Sequence, residues 1–147
     1  MIGAEIREGS RLVAETADHI AFAPFAARLP FETWILPKSH ASHYEQIEET
    51  SLGDLAGILR DVICRLEAAA GPCAYNYILH TVPFRTAAAA HYHWHLEIVP
   101  TLARAAGFEL ATGYYINPIA PEAAAEMMRN VPDGRTSPLS SAMKCVP

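Results

Sequence analysis

The sequence has few charges and no basic cluster. Only 18% of its 147 residues are Asp, Glu, Lys or Arg, and the net charge is −5 with histidine neutral. Binding a nucleic-acid polymer requires a surface that neutralises phosphates, so this balance argues against DNA and RNA as partners. Long hydrophobic runs are also absent. No stretch of about 18 apolar residues occurs, so no membrane span is expected. Met1 to Val13 lacks the apolar segment of a secretory signal. Cysteine is scarce: Cys64, Cys73 and Cys145 are odd in number, far apart and form no Cys-x-x-Cys. That usage reads as reduced thiols in a cytoplasmic protein. No internal repeat is visible. What remains, 51% apolar, is the material of one globular core.

Histidine is concentrated in one place. Residues 91–99 read His91-Tyr92-His93-Trp94-His95-Leu96-Glu97-Ile98-Val99. Alternation of this kind predicts a β-strand. His91, His93, His95 and Glu97 then share one face, and Tyr92, Trp94, Leu96 and Ile98 share the other, against a core.

The rest of the chain predicts an α+β fold, a mostly antiparallel sheet of about five or six strands with helices on one face. Arg11 to Glu15, His19 to Phe25 and Phe31 to Pro37 read as three strands in quick succession. A long helix follows from about Leu52 to Ala69. Leu52, Leu55, Ile58, Leu59, Val62, Ile63 and Leu66 form its apolar stripe, Ser51 to Asp54 resembles a capping box, and Gly71-Pro72 stops it. Ala74 to His80, the histidine segment and Phe108 to Asn117 read as three more strands. Pro121 to Asn130 reads as a terminal helix. Residues 1–130 form one domain in this reading, and 131–147, rich in Pro, Ser and Gly, a poorly ordered tail.

Two kinds of chemistry suit the histidine row. One imidazole can act as a nucleophile while its neighbours hold phosphate oxygens. His93, flanked by His91 and His95, is then the natural nucleophile. Alternatively, histidines at i and i+2 bind a metal, and imidazole suits zinc or iron. His80, ending the preceding strand, offers a third ligand to His93 and His95, and Glu97 a fourth. Asn76 shares a face with His80 and could contact a phosphate or a ribose hydroxyl. His19, His40 and His43 fall in apparent turns and read as structural. Tyr75, Tyr77, Tyr114 and Tyr115 read as core or interface aromatics, and Trp34 and Trp94 as core.

His91 to His95 resembles the His-x-His-x-His pattern of the histidine-triad superfamily. Trp34-Ile35-Leu36-Pro37-Lys38-Ser39-His40 is similar to a strand-ending segment of the same superfamily, and Asn76 matches an Asn upstream of its triad. That resemblance implies transfer or hydrolysis of nucleotidyl groups through a nucleotidyl-histidine, with His93 as nucleophile. Tyr75 to His80, His91 to Pro100 and Gly107 to Pro118 together resemble the C-terminal half of galactose-1-phosphate uridylyltransferase. This resemblance implies a galactose-metabolism-type transferase acting on a small nucleotide or sugar phosphate. By it, Asn76, His91, His95, Phe108 and Tyr114 contact substrate. It also implies a homodimer or pairing with a missing N-terminal half. The chain departs from that family's nucleophile motif, His-Pro-His-x-Gln: Tyr92 stands in place of Pro, and Glu97 does not restore the Gln. A Cys-x-x-Cys zinc site is missing too. The same resemblance therefore supports a second reading: a non-catalytic half with a structural metal on His80, His93 and His95 and a dimer or sugar-phosphate-binding role.

Overall fold

The computed structural model describes residues 2–102, 104 and 106–131, so the expected tail lies outside the described residues except for Val131. The elements run α1 (Ile2–Glu8), β1 (Leu12–Glu15), β2 (His19–Phe22), β3 (Thr33–Pro37), a 3-10 turn (Tyr44–Gln46), α2 (Glu49–Ala70), β4 (Ala74–His80), β5 (His95–Thr101), α3 (Gly107–Thr112) and α4 (Pro121–Arg129). The strands form one antiparallel sheet in the order β1-β2-β3-β5-β4. The fold is α+β, as the sequence predicts, but the helices are not all on one face: Ile2 of α1 packs on the side opposite α2 and α4.

The long helix starts at Glu49, earlier than expected, and Ser51 and Asp54 do not form a capping box. Both side chains reach outward instead. The Ser51 hydroxyl donates to Asp18 Oδ2 at 2.8 Å, and Asp54 accepts from Thr16 and His19. Leu55, Ile58, Val62 and Leu66 recur at helical spacing and are buried. They pack with Val13, Ala21, Ile35, Trp94 and Ile98 of the sheet side and with Ala124, Ala125 and Met128 of α4. The opposite sheet face carries a smaller cluster of Ile20, Phe22 and Leu36, with Ile2 of α1 and Trp34 against it.

Two expected strands are corrected. Phe108 to Asn117 is not a strand: residues 107–112 are helical and 113–117 irregular. The Glu109 carboxylate accepts the Ala106 N–H at 2.7 Å, and Gly113 closes the turn in the left-handed region at φ 74°, its N–H donating to the Glu109 carbonyl at 2.8 Å. The apolar alternation of Phe108 and Leu110 is overridden by these local caps.

The histidine row is split. β5 begins at His95, so His91 and His93 do not continue its face. Tyr92 N–H donates to the Ala89 carbonyl at 3.1 Å, and Trp94 N–H to the Ala41 carbonyl at 2.9 Å. These bonds commit the backbone before His95 to turn and loop partners. β4 ends at His80, directly opposite His95, and so offers His91 and His93 no strand to pair with.

Candidate functional site

The register of three strands builds the site on the sheet face away from α2. β3 places Trp34 beside Glu97, and β4 places His80 beside His95 and Ile78 beside Glu97. Trp34, His95 and His80 form a continuous stack, with ring centroids 4.6 Å apart at both steps and interplanar angles of 26° and 16°. The His80 Nε2 meets Glu97 Oε2 at 2.9 Å.

Beneath this stack lie two carboxylates, Glu32 and Glu97, 1% and 3% exposed. Such burial is costly unless the charge is compensated. Arg28 supplies the compensation. Its guanidinium reaches Glu97 Oε1 and Glu32 Oε1, and its backbone N–H donates to Glu32 Oε2 at 2.7 Å. Trp34 Nε1 donates to Glu32 Oε1 at 3.3 Å. The environments of the two carboxyls push them in opposite directions. Burial, reinforced by the hydrogen bond with Glu97, raises Glu32 above the usual carboxylate range, against the pull of Arg28. Burial works against the Glu97 charge as well, but bonds from Glu32 and His80 and the nearby Arg28 outweigh it and lower that group. The loop delivering Arg28 ends at Phe31, a buried residue held at φ 61°, a costly conformation for a bulky side chain.

The two remaining imidazoles differ in which nitrogen is free. His95 Nδ1 is 3.1 Å from the His93 carbonyl, which can only accept, so that nitrogen carries the proton. Its Nε2 has no hydrogen-bond partner among the described residues. His93 is the reverse: its Nε2 donates to the Pro37 carbonyl at 2.8 Å, and its ring packs edge-on against His40 at 5.4 Å. Burial holds both groups below the usual histidine range.

The structure therefore brings His80, His95 and Glu97 together and separates His93 from them. The set His80, His93 and His95 does not converge, and no group of three His, Cys, Asp or Glu suited to a metal occurs among the described residues. Asn76 shares the β4 face of His80 but sits four residues along, roughly 13 Å away at strand spacing. His91 is exposed in the turn before β5. Phe108 on α3 and Tyr114 beyond it are largely exposed. Asn117 ties that segment back to the Arg28 loop, donating to the Ala27 and Leu29 carbonyls at 3.1 and 3.3 Å.

Sequence reasoning missed Arg28, Glu32 and the place of Trp34, which stacks in the site rather than filling the main core. One signal was present. Glu32 is a lone acid inside an apolar strand segment, two residues from Trp34 and so on its face.

No helix among the described residues is long and apolar enough to cross a membrane. Comparison with known proteins adds the family. Residues 2–140 match the family model described as galactose-1-phosphate uridyl transferase, C-terminal domain. ADP-glucose phosphorylase of Arabidopsis thaliana is 39% identical over 122 residues, covering 82% of this chain and 35% of that protein. Galactose-1-phosphate uridylyltransferase of Thermotoga maritima is 31% identical over 127 residues, covering 81% and 40%. The crystal structure of the Arabidopsis thaliana ADP-glucose phosphorylase with bound ADP-glucose superposes with a TM-score of 0.78 at 36% identity, over 86% of this chain and 42% of that one. A Hit-like protein from Bartonella henselae shares the fold at a TM-score of 0.61 and 18% identity, over 87% and 93%. The chain thus spans well under half the length of the first two relatives. With an antiparallel sheet that shares the fold of the Hit-like protein and an imidazole stack at the β4–β5 pair, the chain belongs to the galactose-1-phosphate uridyl transferase family, in the part represented by the C-terminal domain.

Proposed function

We propose that this domain acts in nucleotidyl transfer on a small nucleotide or sugar phosphate, through a nucleotidyl-histidine formed at His95. One observation carries the reading: the Nε2 of His95 is a free lone pair, with its Nδ1–H held by the His93 carbonyl. In the first step Nε2 attacks the α-phosphorus. An N–P bond forms as the P–O bond to the leaving group breaks, and the leaving oxygen departs with the electron pair. The imidazolium charge is spread onto the His93 carbonyl through Nδ1–H. An acceptor oxygen then attacks phosphorus, the N–P bond breaks and the lone pair returns to His95. His93 is the second candidate for nucleophile, by its Nδ1. Asn76, His91, Phe108 and Tyr114 are proposed to contact the substrate. Mass spectrometry after incubation with a sugar nucleotide tests the reading. A nucleotide adduct abolished by His95→Ala but kept in His93→Ala is expected. No adduct on either residue overturns it.

The competing reading is a non-catalytic half holding zinc or iron on His80, His93 and His95. His93 is turned to Pro37, so these residues do not fit a three-histidine site as they stand. Elemental analysis decides: about one zinc or iron per chain, lost in His95→Ala, would favour that reading.

For the partner, we propose pairing along β4, with a second copy of this chain or with the half of the enzyme that the relatives carry in addition. Support comes from the outer edge of β4, where Tyr77, Ile78 and Leu79 are 50%, 40% and 42% exposed.

A further inference from the structure

Residues 81–94 join β4 to β5 without regular secondary structure. Val82 and Trp94 are buried at the two ends, but residues 83–88, 90 and 91 are exposed, and Arg85 sits in the left-handed region at φ 67°. Residues 87–90 are all alanine and bring no large side chain to pack. Fixing such a segment costs conformational entropy, so its order needs anchors outside it.

The anchors are three consecutive residues beyond β3. The Ser42 carbonyl accepts the Val82 N–H at 3.1 Å and the Ala41 carbonyl the Trp94 N–H at 2.9 Å, which fastens both ends. Two buried side chains hold the middle. Ser42 Oγ accepts the Ala89 N–H at 3.3 Å and lies 2.9 Å from His43 Nδ1. His43 Nε2 donates to the Thr86 carbonyl at 3.0 Å. A carbonyl can only accept, so this nitrogen carries a proton whether the ring is neutral or charged.

This clasp reaches His95 through one peptide unit. The His93 carbonyl and the Trp94 N–H belong to the same planar amide. Its N–H is held by Ala41, and its carbonyl accepts from His95 Nδ1. The partner of one imidazole nitrogen decides the state of the other. Whatever fixes Ala41 therefore also fixes which His95 nitrogen keeps its lone pair.

We propose that Ser42 and His43 are positioning residues. By clasping the loop at Ala89 and Thr86, they hold the Ala41 carbonyl against the His93–Trp94 amide and so keep the His95 lone pair on Nε2. The consequence for catalysis rests on the reading of His95 as nucleophile, whereas the tautomer itself does not.

The test uses the full chain at neutral pH and two readouts that need no turnover. The first is the ring-nitrogen resonances of His95. In the wild type, Nε2 should resonate as a bare nitrogen and Nδ1 as a protonated one. In Ser42→Ala and His43→Leu the two should move toward each other, as tautomers interconvert. The second is trypsin cleavage after Arg85, which should become about tenfold faster in both variants, the equivalent of one or two hydrogen bonds. Cleavage after Arg60, within α2, should stay unchanged, which separates opening of the loop from general unfolding. His43→Gln, whose amide N–H can still meet the Thr86 carbonyl, should recover most of both effects. Should His43→Leu fail to fold, Ser42→Ala deletes a single hydroxyl and carries the same readouts. Unchanged cleavage after Arg85 overturns the proposal, because the clasp then does not hold the loop. So do His95 resonances that stay put while the loop opens, and a His43→Gln no better than His43→Leu. If both readouts respond as expected but no nucleotide adduct forms on His95, the clasp stands and the nucleotidyl-histidine reading falls.

Discussion

His93 and His95 are two residues apart, half-buried, and face opposite demands on their nitrogens. Burial disfavours the imidazolium in both. Each folded-state pKa therefore lies below its unfolded value of about 6.5. Between those two values the unfolded chain binds more protons than the folded one, so stability rises with pH through that window and falls as pH drops through it. Urea unfolding at pH 7.5 and at pH 5.5 should show the loss, and His95→Gln should make it smaller. Glu32 acts with the opposite sign, since its raised group takes up a proton earlier when folded. An unchanged pH dependence in His95→Gln would show that this imidazole does not titrate below its usual range. For a nucleophile the same shift is useful, because the Nε2 lone pair stays available through mildly acidic conditions.

At the scale of the element, α2 separates what periodicity says from what burial does. Both Leu52 and Ile58 belong to its apolar stripe, but Ile58 is 1% exposed and Leu52 is 40% exposed. Ile58→Ala should cost about 2–5 kcal/mol through lost burial and a cavity between helix and sheet. Leu52→Ala should stay within roughly 0.5 kcal/mol. Equilibrium denaturation measures both, and equal losses would mean that the helix seats differently. The same contrast explains how much the sequence discloses. β4 is legible to the residue, because seven residues of β-prone sequence end against clear breakers. The existence and length of α2 are legible from its stripe. The start of β5 is not, since it depends on Ala41 capturing the Trp94 N–H from a distant loop. Nor is α3, whose caps compete with an alternation that reads as strand. In the site, the His80–His95 pairing follows from β4 preceding the histidine row. Arg28 and Glu32 escape because a loop with a left-handed Phe31 delivers them, and no periodicity encodes that.

For the whole molecule the unbalanced feature is the free edge of the sheet. β1 closes one side with four residues, whereas β4 leaves seven on the other, about 24 Å of strand. Edge strands are ordinarily protected by charge, proline or a covering element. Ala74 to His80 contains no Asp, Glu, Lys, Arg or Pro, and Tyr77 to Leu79 are exposed. Exposed Phe84, Phe108, Leu110, Tyr114, Tyr115 and Ile116 add further apolar surface elsewhere on the described chain. An antiparallel pair of β4 edges related by a two-fold axis would satisfy the unpaired backbone groups and place like residues near one another. The isolated chain should therefore sediment as a concentration-dependent dimer. The double variant Tyr77→Glu with Leu79→Glu sets acids across that axis, where like charges repel. It should sediment as a monomer at the same concentrations, with the unfolding midpoint that the wild type shows when diluted to monomer, because both side chains are already half in solvent. A wild-type chain that stays monomeric throughout, yet binds a separately expressed N-terminal half of a relative, would assign the β4 edge to that half instead of to a second copy.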